Sequence, residues 1–210
     1  MDGMIPGIIG KKIGMSQIFD ANGKAEAVTV IEAGPCTVTQ IKTAAKEGYE
    51  ALQLGFGNAK KLTKAEQGHL KELGKLKQLK EFRVESTAEV KVGDKVDVNL
   101  FKTGDFVNVI GVSKGKGHAG VVKRYGFHGG PKTHGQTDRE RGPGAIGATT
   151  SPGRVLKGMR MAGHMGHEQV TVKGLKVYKT DPEHNLLLIQ GAVPGVINGL
   201  LLISKATKRK

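Results

Sequence analysis

Residues 106–124 read FVNVIGVSKGKGHAGVVKR. The first seven, Phe106–Val112, alternate with the two-residue period of a half-buried strand. At Ser113 the pattern breaks. The next eleven residues hold Lys114, Lys116, Lys123, Arg124 and His118 among three glycines. A strand that runs straight into a basic, glycine-rich stretch marks the edge between a β body and something that cannot build a core.

The basic stretch extends to His167. Between Ser113 and His167 lie ten basic residues: the four above with Lys132, Arg139, Arg141, Arg154, Lys157 and Arg160. Only Asp138 and Glu140 oppose them, a net charge of +8 in 55 residues, against +6 for the other 155. The same window holds five of the seven histidines (His118, His128, His134, His164, His167), 14 of the 32 glycines and three prolines. Such a segment buries too little apolar surface to offset its ordering entropy. No strand or long helix pattern runs through 126–153. We therefore expect a long irregular basic arm, residues 113–167, inserted in a body made of residues 1–112 and 168–210. Val121, Val122, Ile146, Val155, Leu156, Met159, Met161 and Met165 mix with its charges. They set it apart from a solvated tail and suit a segment that orders on a folded RNA.

The body reads as mainly β. Ala25–Ala33, Cys36–Lys42 and Tyr49–Phe56 are rich in β-branched residues and separated by Gly34-Pro35 and the Lys46–Gly48 region. Gln169–Tyr178, Leu186–Gln190 and Leu200–Ser204 continue the pattern after the basic stretch. Many short strands with Gly/Pro turns fit an antiparallel barrel or sandwich. One helix is expected: Thr63 and Glu66 form a capping box. Leu62, Ala65, Leu70, Leu73 and Leu76 then share a face, with Gly74 ending the helix over one barrel opening.

Composition narrows the function classes. A net charge of +14 and a pI near 9.9 are the footprint of a polyanion binder. The single cysteine, Cys36, excludes an intramolecular disulfide framework and reads as a small core residue in a reducing, intracellular setting. The opening Met1-Asp2-Gly3-Met4 lacks the basic region of a signal peptide. Asn185–Ser204 is 20 residues without a charge, yet Pro194-Gly195 at its centre makes it two strands and a connection.

Three motifs suggest chemistry. Gly115–Gly120 spells G-x-G-x-x-G, but the helix that follows has room only for Val121–Tyr125, so the dinucleotide-binding context is missing. Its backbone N–H groups and neighbouring cations still suit phosphate oxygens. Gly129–Thr133 superficially resembles a phosphate-binding loop, but Pro131 removes a needed donor. His164 and His167 have ligand spacing, with His128 and His134 nearby. No Cys is near, and Asp138, Glu140 and Glu168 are the only local carboxylates. A catalytic zinc site needs a third ligand and ordered partners behind its ligands, so no metal or other cofactor is expected. An enzyme acting on nucleotides or RNA through the Gly115–Gly120 turn and His164/His167 is the alternative to an RNA-binding scaffold.

Residues 101–124, FKTGDFVNVIGVSKGKGHAGVVKR, resemble the signature of the large-subunit ribosomal protein L-three family. Phe101, Asn108, Gly111, Ser113, Gly115, Lys116, Gly117, Gly120 and Arg124 meet its motif positions. Gly10–Phe19 resembles the family's opening strand, with Ser16 where Thr is usual; Gly142–Gly166 its arm tip and return; Asn185–Gly195 its late strand pair. Length and arm type resemble the bacterial form. The resemblance implies a non-enzymatic constituent of the large subunit with no small-molecule substrate and no membrane partner. It implies a body like the translation elongation factor barrel, with one or two short helices. It implies an arm that binds large-subunit ribosomal RNA through the ten cations and five histidines. The arm tip, Gly144, Ile146, Gly147, Thr149, Thr150 and Ser151, would lie near the peptidyl-transferase centre. It also implies contacts with the L-fourteen and L-nineteen families, a role in early subunit assembly and a cytoplasmic location. Some relatives carry a methylated glutamine just before the tip's Ser-Pro-Gly turn. Here Ala148-Thr149-Thr150 precede Ser151-Pro152-Gly153, so that modification is not expected.

Overall fold

The computed structural model describes residues 5–20, 22–71, 73–87 and 90–206. The Met1–Met4 start lies outside them. Among the described residues twelve strands form: β1 (Gly7–Phe19), β2 (Ala25–Ala33), β3 (Cys36–Lys42), β4 (Ala51–Asn58), β5 (Leu76–Arg83), β6 (Lys95–Val96), β7 (Phe106–Val112), β8 (His118–Ala119), β9 (Gly163–His164), β10 (Gln169–Asp181), β11 (Leu186–Gln190) and β12 (Leu200–Lys205). Three helices accompany them, α1 (Ala44–Glu47), α2 (Lys64–Leu70) and α3 (Val121–Tyr125), with a 3-10 turn at Val98–Leu100. The chain divides into two compact units, Lys114–Glu168 and the remainder.

In the larger unit, six strands pair antiparallel in the order β1-β12-β7-β10-β11-β2 and close back on β1 as a barrel. The alternation read in Phe106–Val112 places Val107 and Val109 inside, both fully buried. Ile203 of β12 lies opposite Val109 on one side and Ile8 of β1 on the other, so three strands fill one layer of the core. Each such aliphatic contributes about 1.5–3 kcal/mol through burial. Between β11 and β12 the chain turns back across β1. Lys12 is buried there, its ammonium donating to the carbonyls of Val193 (3.0 Å) and Gly195 (3.3 Å). A buried cation needs such acceptors.

A second sheet, ordered β5-β4-β3-β6, packs Val38, Leu52, Leu54, Phe56 and Phe82 into the same hydrophobic cluster as the barrel. Cys36 stands at its start, fully buried, with its S–H 3.5 Å from the Ile9 carbonyl. Burial pushes the thiol up from 9.0 to about 12.

Three readings of the sequence are corrected. The helix begins at the expected capping box, where the Thr63 hydroxyl accepts from the Glu66 amide and the Glu66 carboxylate accepts from the Thr63 amide. It ends at Leu70, not Gly74, because Lys71 takes a positive φ and Leu76 is drawn into β5 beside Gly55. It lies by the second sheet rather than over a barrel opening: His69 bonds the Gln53 side chain of β4 at 2.8 Å. Among the described residues there are three helices rather than one or two, since α1 and α3 are single turns with no apolar periodicity to announce them. Among the described residues no helix is long and apolar enough to cross a membrane.

Candidate nucleic-acid interface

The Lys114–Glu168 unit starts at a neck held by backbone bonds. The Lys116 amide donates to the Met165 carbonyl and the Met165 amide to the Gly117 carbonyl, both at 2.9 Å. Beyond them β8 pairs with β9, setting His118 opposite His164 and Ala119 opposite Gly163. Gly166 has φ +75°, and a Cβ there would overlap the Lys114 carbonyl oxygen. Only glycine lets the two chains of the neck approach so closely.

The neck carries a cationic aromatic cluster. Arg124, at the end of α3, donates from Nη1 to the Met161 carbonyl at 2.8 Å. Its guanidinium lies 5.0 Å from the centre of the Tyr125 ring, and that of Arg160 lies 5.6 Å from it. Phe127 lies tilted against the same ring at 6.2 Å. The bare backbone of Gly163 makes room for Arg124, since a Cβ there would stand 2.7 Å from Nη1. Guanidiniums on an aromatic face present both charge and a stacking plane, the pair of features that single-stranded RNA engages.

Farther out, the Gly130 amide donates to the Glu140 carbonyl at 2.8 Å and the Gly142 amide to the Arg139 carbonyl at 3.2 Å. These bonds shape an open groove of about 1020 Å³, lined by Phe127, His128, Gln136, Asp138, Arg139 and the glycine-rich backbone through Ala145. No helix or strand occurs in residues 126–153. Lys132, His134, Arg141, Arg154 and Lys157 are exposed, as are Gly144, Ile146, Gly147, Thr149, Thr150 and Ser151.

Nine of the unit's ten basic residues are exposed, and Arg124 is half-buried. Among the described residues no ion pair engages any of them. The structure brings together Arg124 with Arg160, His118 with His164, and His128 with Arg139. His164 faces His118 across the β8–β9 pair, whereas His167, with φ +54°, has its Cβ beside Gly115. No group of three or more His, Cys, Asp or Glu among the described residues is arranged to hold a metal. Tyr125 and Phe127 are the site residues that a search for charge passes over. Their signal is aromatic spacing beside Arg124 in a chain with 4% aromatics.

A β-barrel protein bearing an exposed, unneutralised cationic unit belongs to the class that lies against polyanions. The comparisons with known proteins are more specific. The family model described as ribosomal protein L3 matches residues 69–185, more than half of the chain. A large ribosomal subunit protein uL3 of Dehalococcoides mccartyi is 56% identical over 205 residues, 98% of this chain and 100% of the relative. Those of Herpetosiphon aurantiacus (55%, 98% of both chains) and a Roseiflexus species (56%, 98% and 99%) are as similar. The chain belongs to the ribosomal protein L3 family.

Proposed function

We propose that this protein is a structural, non-enzymatic constituent of the bacterial large ribosomal subunit, in the cytoplasm, bound directly to large-subunit ribosomal RNA. The observation that carries the reading is the set of ten cations in residues 114–168 with no ion-pair partner among the described residues. Like charges held together with too few acids to balance them are offset when RNA phosphates supply the missing counter-charge. The unit Lys114–Glu168 serves as the RNA-binding arm. Lys114, Lys116, Lys123, Lys132, Arg139, Arg141, Arg154 and Lys157 meet phosphates. Arg124 and Arg160 with Tyr125 offer a stacking surface, and the five histidines bond phosphates or bases. The tip from Gly144 to Ser151 lies near the peptidyl-transferase centre and holds RNA there without doing chemistry. The barrel is of the translation elongation factor kind. The body contacts neighbouring proteins of the L-fourteen and L-nineteen families, and binding comes early in subunit assembly.

Sucrose-gradient fractionation of lysate tests this. Stoichiometric co-migration with the large subunit through washes at moderate salt is the expected result. A free pool that turns over nucleotides would overturn it and favour an enzyme built on Gly115–Gly120 and His164/His167.

A further inference from the structure

The charge outside residues 113–167 is as uneven as that of the whole chain. Outside residues 113–167 there are 23 basic and 17 acidic residues. Eight of those cations and three of those acids fall in residues 60–83, leaving 15 against 14 elsewhere. Almost the whole excess of the body therefore sits in one hairpin, β4–β5 with α2 in its connection.

We infer that this hairpin is a second phosphate-binding surface, by which the body grips ribosomal RNA independently of the arm. The inference rests on the reading above that the partner is RNA. Lys60, Lys61, Lys64, Lys71, Lys75, Lys77, Lys80 and Arg83 are all exposed. Among the described residues none of them is in an ion pair. Two acids of the segment are spent elsewhere. Glu66 closes the helix cap, accepting from the Thr63 amide at 2.8 Å. Glu81 is held by Lys42 of β3 at 2.7 Å and by the Tyr49 hydroxyl at 2.8 Å, which keeps its carboxyl below the usual range. The connection is also built rather than loose. Leu70 is buried, the Gln67 side chain donates to the Leu62 carbonyl at 3.2 Å, and the Leu73 amide donates to the Leu70 carbonyl at 3.0 Å. The Ala59 amide donates to the Lys75 carbonyl at 2.8 Å, which sets Lys60 beside Lys75 across the mouth of the hairpin.

A plainer account exists for part of this charge. β5 is an edge strand, and lysines on an edge discourage pairing with another chain. That account covers Lys77, Lys80 and Arg83. It leaves Lys60, Lys61, Lys64, Lys71 and Lys75, which stand in the connection and protect no edge. The chemistry of the surface selects among anionic partners. A protein partner would be anchored by aromatic or large aliphatic side chains, and a membrane would need an exposed apolar helix face. Among the described residues no large apolar side chain of 60–83 is exposed. Seven lysines and one arginine without apolar anchors suit a phosphate backbone, read as charge and not as sequence.

The test uses the full chain and an in-vitro transcript of large-subunit ribosomal RNA. The Lys60→Gln, Lys61→Gln, Lys64→Gln, Lys71→Gln variant is compared with the parent and with an Arg139→Gln, Arg141→Gln variant. Each lost phosphate contact removes about 0.7–0.9 from the slope of log K against log[salt]. The hairpin variant is expected to bind with a slope shallower by roughly 3, with an unchanged melting temperature because all four side chains are exposed. A change of less than about one unit overturns the inference, whatever the arm variant does. If the arm variant alone flattens the slope, the arm reading stands and the hairpin surface fails. If the parent does not bind the transcript, both fail. A hairpin variant with the parent's slope that is nevertheless lost from the large subunit identifies a protein partner for this surface, and that too overturns the inference.

Discussion

Single side chains differ in how far the sequence alone makes their chemistry legible. Cys36 reads as core because nothing near it in sequence can activate a thiol, and it is buried against the Ile9 carbonyl. Its pKa, raised from 9.0 to about 12 in the folded chain, gives a signed prediction. The neutral thiol is favoured on folding, so its contribution is intact below pH 9 and is lost as the pH rises from 9 toward 12. The parent is expected to lose stability over that interval faster than Cys36→Ala, whose cavity cost does not vary with pH. Denaturant midpoints taken at steps between pH 8 and 11 measure the difference; parallel curves would refute it. A thiol reagent at pH 8 is expected to leave Cys36 unmodified until the protein is unfolded. The arm's cations are equally legible, since charge needs no fold to be counted. The Tyr125 cluster is not. It depends on Arg124 reaching the Met161 carbonyl, 37 positions away, and on Gly163 leaving room for it.

Elements follow from sequence where the signal is local and fail where pairing decides. β2, β3, β7 and β11 begin and end where alternation and turn residues place them, because a strand with one buried face must keep its register. β5 carries no such signal. Leu76–Arg83 holds two lysines, a glutamate and an arginine, and becomes a strand only by pairing Asn58 to Leu76 and Ala51 to Arg83 along β4. The same pairing truncates α2, so one long-range ladder accounts for both departures from the sequence reading. The cap is readable because its partners are three residues apart. Removing it by Thr63→Ala costs about 0.5–2 kcal/mol of helix stability. Only Leu70 of α2 is buried, so the loss stays local. Amide exchange in the last residues of α2 is expected to quicken by roughly five-fold, the equivalent of about 1 kcal/mol, while the global melting temperature stays nearly constant. A large global drop would show that the hairpin connection supports the core.

At the scale of the whole molecule the two units divide the labour that composition alone leaves mixed. The barrel and second sheet share one hydrophobic cluster, while the inserted unit contributes charge, glycine and two nearly buried residues, Ala119 and Val121. If the arm binds by neutralising roughly six to ten phosphates, its share of the slope of log K against log[salt] for naked ribosomal RNA is about −4 to −9, and a total slope near zero refutes that account. The tip asks a different question, because residues 142–153 carry no charge at all. A charge-free tip fits a place where RNA closes in from several sides and a solvated cation has no room. Gly147 separates this from a requirement of the chain itself. A Cβ at Gly147 would meet nothing nearer than the Arg154 carbonyl oxygen at 3.8 Å, an ordinary contact, and its φ is not in the left-handed region. Gly144, with φ +77°, would be strained by any side chain and tests nothing cleanly. Gly147→Val is therefore expected to leave the melting temperature of the isolated protein unchanged and to lower large-subunit yield or peptidyl transfer in cells. Single changes at Lys61 or Lys64 are expected to do much less, because one exposed charge among many is replaceable. Fully active subunits at normal yield with Gly147→Val would show that RNA does not crowd the tip. Unfolding of the isolated variant would show that the tip is packed into the body, and the separation of a folded core from an RNA-ordered arm would fall with it.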